Sequence, residues 1–155
     1  MIESWGLSAF ETLCRSCAIL ESGGIDYRVT GLTASNLYGH TLTTNVLDIA
    51  VESDSVVTKA VQLLGLPLST EVNPYVYTLK DHMGFIRIQA DILGKAFVHS
   101  SGLWLHSKDL LLDRLDIYAN DDSTGRICKA VAFIALTVDS SKVEQYRRYW
   151  NKLGG

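Results

Sequence analysis

Near the start of the chain, apolar residues recur at three- and four-residue intervals: Phe10, Leu13, Cys14, Cys17 and Leu20. This spacing predicts an amphipathic helix over about 5–21, ended by Gly23-Gly24. "IDYRVTG" then reads as a short strand over 27–30 stopped by Gly31, and "LTASNLYG" as a two-turn helix ended by Gly39. The β-branched run "NVLDIAVE" predicts a strand over 46–51. A helix over 54–64 follows, capped by Ser53 or Asp54, burying Val57, Ala60, Val61 and Leu64, and closed by Gly65 and Pro67. "PYVYTLKD" and "GFIRIQADIL" form a predicted hairpin around "DHMG", its second strand spanning 86–92. There Ile86, Ile88, Ala90 and Ile92 alternate with Arg87, Gln89 and Asp91. "KAFVHSSGLWLH" adds an edge strand, and from Ser107 the pattern is helical to the end. Leu47, Ile49, Val51, Ile86, Ile88 and Ile92 need one common apolar cover, which the helices 5–21 and 54–64 supply. A mixed sheet with helices on one face and a helical C-terminal part makes one α+β domain over 1–155, an α/β core to about 104 and C-terminal helices from about 105.

Length and composition agree with one domain. The chain has 155 residues, 47% apolar and 20% charged, enough for a single core. A net charge of −3 argues against a broad sequence-independent grip on nucleic acid, which needs a basic face. No apolar run reaches the ~18 residues of a membrane helix, and "MIESWGLSAFETL" lacks the pattern of a secretory signal, so the cytoplasm is the expected compartment. "CRSC" spells a C-x-x-C motif, but Cys14 and Cys17 lie on the apolar helix face and Cys128 stands alone; buried core thiols are expected.

The acidic residues are the unusual feature. On the strand "VLDIAV", Val46, Asp48 and Ala50 share one face, and Leu47, Ile49 and Val51 the other. Asp48 is thus a carboxylate among small and apolar neighbours. If this strand lies beside 86–92, Asp48 and Asp91 meet on one open face. Two convergent carboxylates suit a hard cation such as magnesium. The same two residues also fit separate wet positions on a half-exposed sheet.

The order of these segments resembles the nucleotidyltransferase superfamily, the polymerase-beta-like fold, in its minimal and abortive-infection toxin forms. In that family a helix leads to a strand ending in Gly-Gly or Gly-Ser, then a short helix, then a strand reading Asp-hydrophobic-Asp. A third carboxylate follows on a neighbouring strand. "GIDYRVTGLTASNLYGHTLTTNVLDIAV" follows this layout, "TTNVLDIAV" is similar to the acid strand, and "FIRIQADIL" to the strand of the third acid. The resemblance implies magnesium held by Asp48 and Asp91 as catalytic carboxylates, with Thr30, Gly31, Thr33, Thr43, Thr44 and Arg87 around a nucleotide. Two positions depart from the pattern. Leu32 replaces the second small residue of the turn, and Val46 replaces the first aspartate. Glu52 shares the face of Asp48 but lies roughly 13 Å away along the strand, and Asn45 points to the opposite face. A clamp of two metal ions on the attacking and leaving oxygens is therefore short of ligands.

Two readings follow from this resemblance. One is a nucleotidyltransferase-fold protein with impaired catalysis, binding a nucleotide or a partner protein, as an antitoxin or regulator does. The other is an active magnesium-dependent transferase moving a nucleoside monophosphate to an unknown acceptor. Val46 favours the first. Arg87, on the face of Asp91, fits either a phosphate or an ion pair with a carboxylate, standing in for a missing metal. His40 reads as a phosphate contact or a plain loop residue. Trp104 reads as a core anchor or a contact with a second copy. "YRRYWNK" reads as a helix with Tyr146, Trp150 and Leu153 inside.

Overall fold

The computed structural model describes residues 7–39, 46–66, 68–73, 76–81, 84–111 and 113. Helix α1 (Leu7–Ser22) leads to strand β1 (Arg28–Val29), helix α2 (Gly31–Leu37), strand β2 (Val46–Val51) and helix α3 (Asp54–Leu64). Strands β3 (Leu68–Asn73), β4 (Val76–Asp81), β5 (Gly84–Ala90), β6 (Phe97–Val98) and β7 (Trp104–Leu105) follow. Residues 108–111 open a further helix. The expected C-terminal helices lie outside the described residues.

All seven strands join one mixed sheet in the order β3-β4-β5-β2-β1-β7-β6. β2 is central and pairs parallel with β5 and antiparallel with β1. β2 is covered on both sides: every residue from Leu47 to Val51 is buried, and all but Asp48 are apolar. One continuous core joins Leu13, Cys17 and Leu20 of α1, Val57 and Ala60 of α3, and Ile49, Ile86 and Ile88 of the sheet. Ser53 occupies the N-cap position of α3 in an extended conformation without a side-chain capping bond, and Gly65 ends the helix in the left-handed region at φ 64°, where a Cβ would be strained. Burial raises the pKa of both Cys14 and Cys17, so neither resembles an activated redox thiol.

Four expectations need correction. The strand expected over 27–30 is only Arg28–Val29, because Thr30 and Gly31 turn the chain into α2. The strand expected to reach Ile92 stops at Ala90, and Ile92 is 69% exposed rather than part of the apolar cover. The hairpin β4–β5 is present, but β3 extends it to a three-stranded meander. "KAFVHSSGLWLH" forms a two-stranded hairpin, β6–β7, at the sheet edge.

Candidate functional site

The site forms where β1 ends against the middle of β2. The ladder runs Arg28↔Ala50 and Val29↔Ile49, and the Thr30 amide adds one more bond to the Asp48 carbonyl at 3.0 Å. Gly31 then breaks away at φ +59°. A Cβ on Gly31 would stand 2.8 Å from Oδ2 of Asp48, closer than side chains approach. Glycine is therefore required twice here, by its backbone angle and by the carboxylate packed against it.

Beyond Gly31, α2 continues what β1 began. The Thr33 hydroxyl accepts from the Asp48 amide at 2.9 Å and donates to the Val46 carbonyl at 3.3 Å. One side chain thus satisfies two main-chain groups of β2 that the short β1 cannot reach.

Asp48 itself is 4% exposed. A buried carboxylate loses its hydration and needs compensation. It comes from the opposite position on β5. The parallel register sets Asp48 against Arg87, and Nε of Arg87 donates to Oδ1 of Asp48 at 2.6 Å. Burial raises the Asp48 pKa above the ordinary carboxylate value, while the Arg87 charge and hydrogen bond pull it back down. The Arg87 side chain remains 42% exposed.

Asp91 is not brought to Asp48. It stands four residues beyond Arg87, roughly 13 Å along the strand direction. Its Oδ1 accepts from the Ile92 amide at 2.7 Å. The expected convergence of the two carboxylates is corrected by this register: the neighbour of Asp48 is Arg87. No group of three or more His, Cys, Asp or Glu side chains suited to a metal ion occurs among the described residues. With Oδ1 on Arg87, Oδ2 against Gly31 and Val46 apolar, this donor set does not fit the two-ion clamp.

The other expected ligand residues divide. Thr30 and Thr33 are almost fully buried, and their hydroxyls bond within the protein rather than lining a cradle. Gly31 is at the turn as expected. His40, Thr43 and Thr44 lie outside the described residues.

His106, which no local pattern singles out, is fully buried beside this turn. Its Nε2 lies 2.9 Å from the Ile92 carbonyl and its Nδ1 lies 2.8 Å from the Thr30 hydroxyl. A carbonyl only accepts, so Nε2 carries a proton, and Nδ1 shares a second hydrogen bond with the Thr30 hydroxyl. The His106 amide donates to the Val29 carbonyl at 3.1 Å, and the Tyr38 hydroxyl donates to the His106 carbonyl at 2.6 Å. Burial pushes the Tyr38 pKa up to about 12, which keeps it a donor. His106 thus positions the turn from a distant part of the sequence. No local spacing marks it, because Thr30 is 76 residues away.

No family model matches the chain, and no curated protein matches it. Solved structures do. The antibiotic-resistance factor ANT(2'')-Ia in solution is similar with a TM-score of 0.69 and 14% identity, over 94% of this chain and 92% of that one. Its crystal structure with adenylyl-2''-tobramycin gives 0.66 and 12%, over 90% and 95%. The lincomycin-bound lincosamide antibiotic adenylyltransferase LnuA gives 0.57 and 14%, over 76% and 90%. At these identities the likeness is one of fold: this chain has the nucleotidyltransferase fold. No helix among the described residues is long and apolar enough to cross a membrane.

Proposed function

We propose that this chain is a nucleotidyltransferase-fold protein in which transfer chemistry is impaired and binding, of a nucleotide or a partner protein, is retained. The observation that carries this reading is the Asp48–Arg87 pair. A guanidinium occupies the position opposite the buried carboxylate, so the strand pair offers a neutral ion pair where transfer through metal ions needs several unneutralised carboxylates. Val46 on the same face supplies no second acid. The active magnesium-dependent transferase, moving a nucleoside monophosphate from a nucleoside triphosphate to an unknown acceptor, requires Arg87 to leave Asp48 and further ligands to arrive.

The test is release of pyrophosphate from ATP, GTP, CTP and UTP with magnesium or manganese, using an aminoglycoside and a lincosamide as acceptors. No turnover above background is expected. Robust turnover that Asp48→Asn abolishes overturns the reading and establishes the enzyme.

A further inference from the structure

We infer that a cavity at the start of β1 binds the ammonium group of a small organic cation. This goes beyond the reading above and does not rest on the Asp48–Arg87 pair. The cavity has a volume of about 280 Å³ and lies at the other end of β1 from the Gly31 turn; Glu21, Ile25, Asp26, Tyr27, Arg28 and Trp104 line it. Its polar groups divide by what they have left to offer. Nη1 of Arg28 donates to the Tyr27 carbonyl at 2.7 Å and Nη2 to the Gly94 carbonyl at 3.1 Å, and Nε is buried. The main chain therefore holds this guanidinium as part of the wall. The indole Nε1 of Trp104 donates to Oε1 of Glu21 at 3.3 Å, which fixes the Glu21 carboxylate beside the ring. The Asp26 carboxylate has no ion-pair partner among the described residues, and both acids are exposed. Helix α1 ends here with no basic residue in its last turn, so the negative end of its dipole adds to them. Two carboxylates and a helix C-terminus thus outweigh one arginine. A lining of aromatic rings and carboxylates attracts an organic cation through the ring quadrupole and charge-assisted hydrogen bonds. A hard metal ion takes about six or more oxygen ligands, and this wall supplies two carboxylates. Buried Ile25 and Tyr27 offer apolar surface to the carbon chain of the cation. At ~30 Å³ for each water-sized group, the volume suits a short aliphatic amine rather than a nucleotide.

The experiment is NMR titration of the full, nitrogen-15-labelled chain at neutral pH and fixed ionic strength. The reporter is the indole N–H resonance of Trp104, identified by its loss in Trp104→Phe. The probes are 1,4-diaminobutane, for a free amine, and Nα-acetyl-lysine methylamide, for a lysine side chain of a partner protein. 1,4-Butanediol is the neutral control of similar shape. A saturable shift is expected with at least one amine and none with the diol. Tighter binding of the diamine identifies a free amine as the ligand, tighter binding of the lysine probe identifies a side chain, and equal binding shows that the terminal ammonium alone is recognised; each carries the proposal. The double variant Glu21→Gln with Asp26→Asn keeps the shape of both side chains and an acceptor for the indole. It is expected to weaken binding about tenfold or more while remaining folded by circular dichroism. Glu11→Gln with Glu52→Gln removes the same charge from two exposed acids outside the cavity and is expected to leave the affinity unchanged. The proposal is overturned if neither amine gives a saturable shift, if the diol binds as well as the amines, or if the two double variants have the same effect. None of these outcomes bears on nucleotidyl transfer, so the reading of the Asp48–Arg87 pair stands or falls by its own test.

Discussion

At the scale of single residues, the chemistry of the site is set by one carboxylate and what compensates it. Asp48 is buried, its pKa is raised by that burial, and Arg87 pulls it down. Arg87→Met removes the pull, so the folded-state pKa rises further. Above the unfolded value of ~3.9 and up to that folded value, the folded chain binds more protons than the unfolded chain. Stability then falls as pH rises. The variant is expected to lose little stability near the unfolded pKa and about 2 kcal/mol or more at neutral pH, where the buried charge has no partner. Urea midpoints at about pH 4.5 and about pH 8 check this. Equal destabilisation at both pH values would show that Arg87 acts by packing rather than charge.

At the scale of elements, α2 acts as an extension of β1. The strand has only two residues, and the Thr33 hydroxyl completes its pairing with β2 at Val46 and Asp48. Thr33→Val keeps the shape and removes the hydroxyl, leaving a buried amide without its acceptor. A loss of about 1–3 kcal/mol is expected, with faster hydrogen exchange at the Asp48 amide. Thr33→Ser, which keeps the oxygen, is expected to restore slow exchange. If the amide of Asp48 exchanges at the same rate in all three proteins, Thr33 does not clamp β2. The same local logic explains the correction at β5: once the ladder stops at Ala90, Asp91 uses its carboxylate on the Ile92 amide, a common local use of aspartate at a strand end.

At the scale of the whole molecule, the sheet brings four distant segments together: Gly31 after β1, Asp48 on β2, Arg87 on β5 and His106 after β7. This is the scaffold of the nucleotidyltransferase fold, with the Asp48–Arg87 pair at its centre. An ion that binds only the folded state raises the melting temperature, by an amount that grows with the logarithm of one plus its concentration over its Kd. Because Asp91 lies far from Asp48 and Arg87 neutralises it, a few millimolar magnesium is expected to shift Tm by less than about 1 °C. A rise of several degrees, lost in Asp48→Asn, would show that metal displaces Arg87.

The sequence by itself determined the elements whose signals are local. The three- and four-residue spacing in "FETLCRSCAIL" marks α1, the β-branched "VLDIAV" marks β2, and the glycine after "YRVT" marks the turn, because side-chain periodicity and backbone freedom act within a few residues. Val46 at the position of the expected first aspartate is also legible, because a single residue is read directly from the chain. β3 was less legible: "LSTEVN" alternates, but Ser, Glu and Asn weaken a strand signal. The tertiary structure alone decided which residue faces Asp48. Alternation put Arg87 and Asp91 on one face, but face does not fix register, and a shift of four residues along β5 separates an ion pair from a pair of acids. It alone decided that Thr30 and Thr33 turn inward and that His106 holds the turn, since those bonds join segments far apart in the chain. Local sequence fixes conformation and facing; register and long-range hydrogen bonds depend on the packing of the whole sheet.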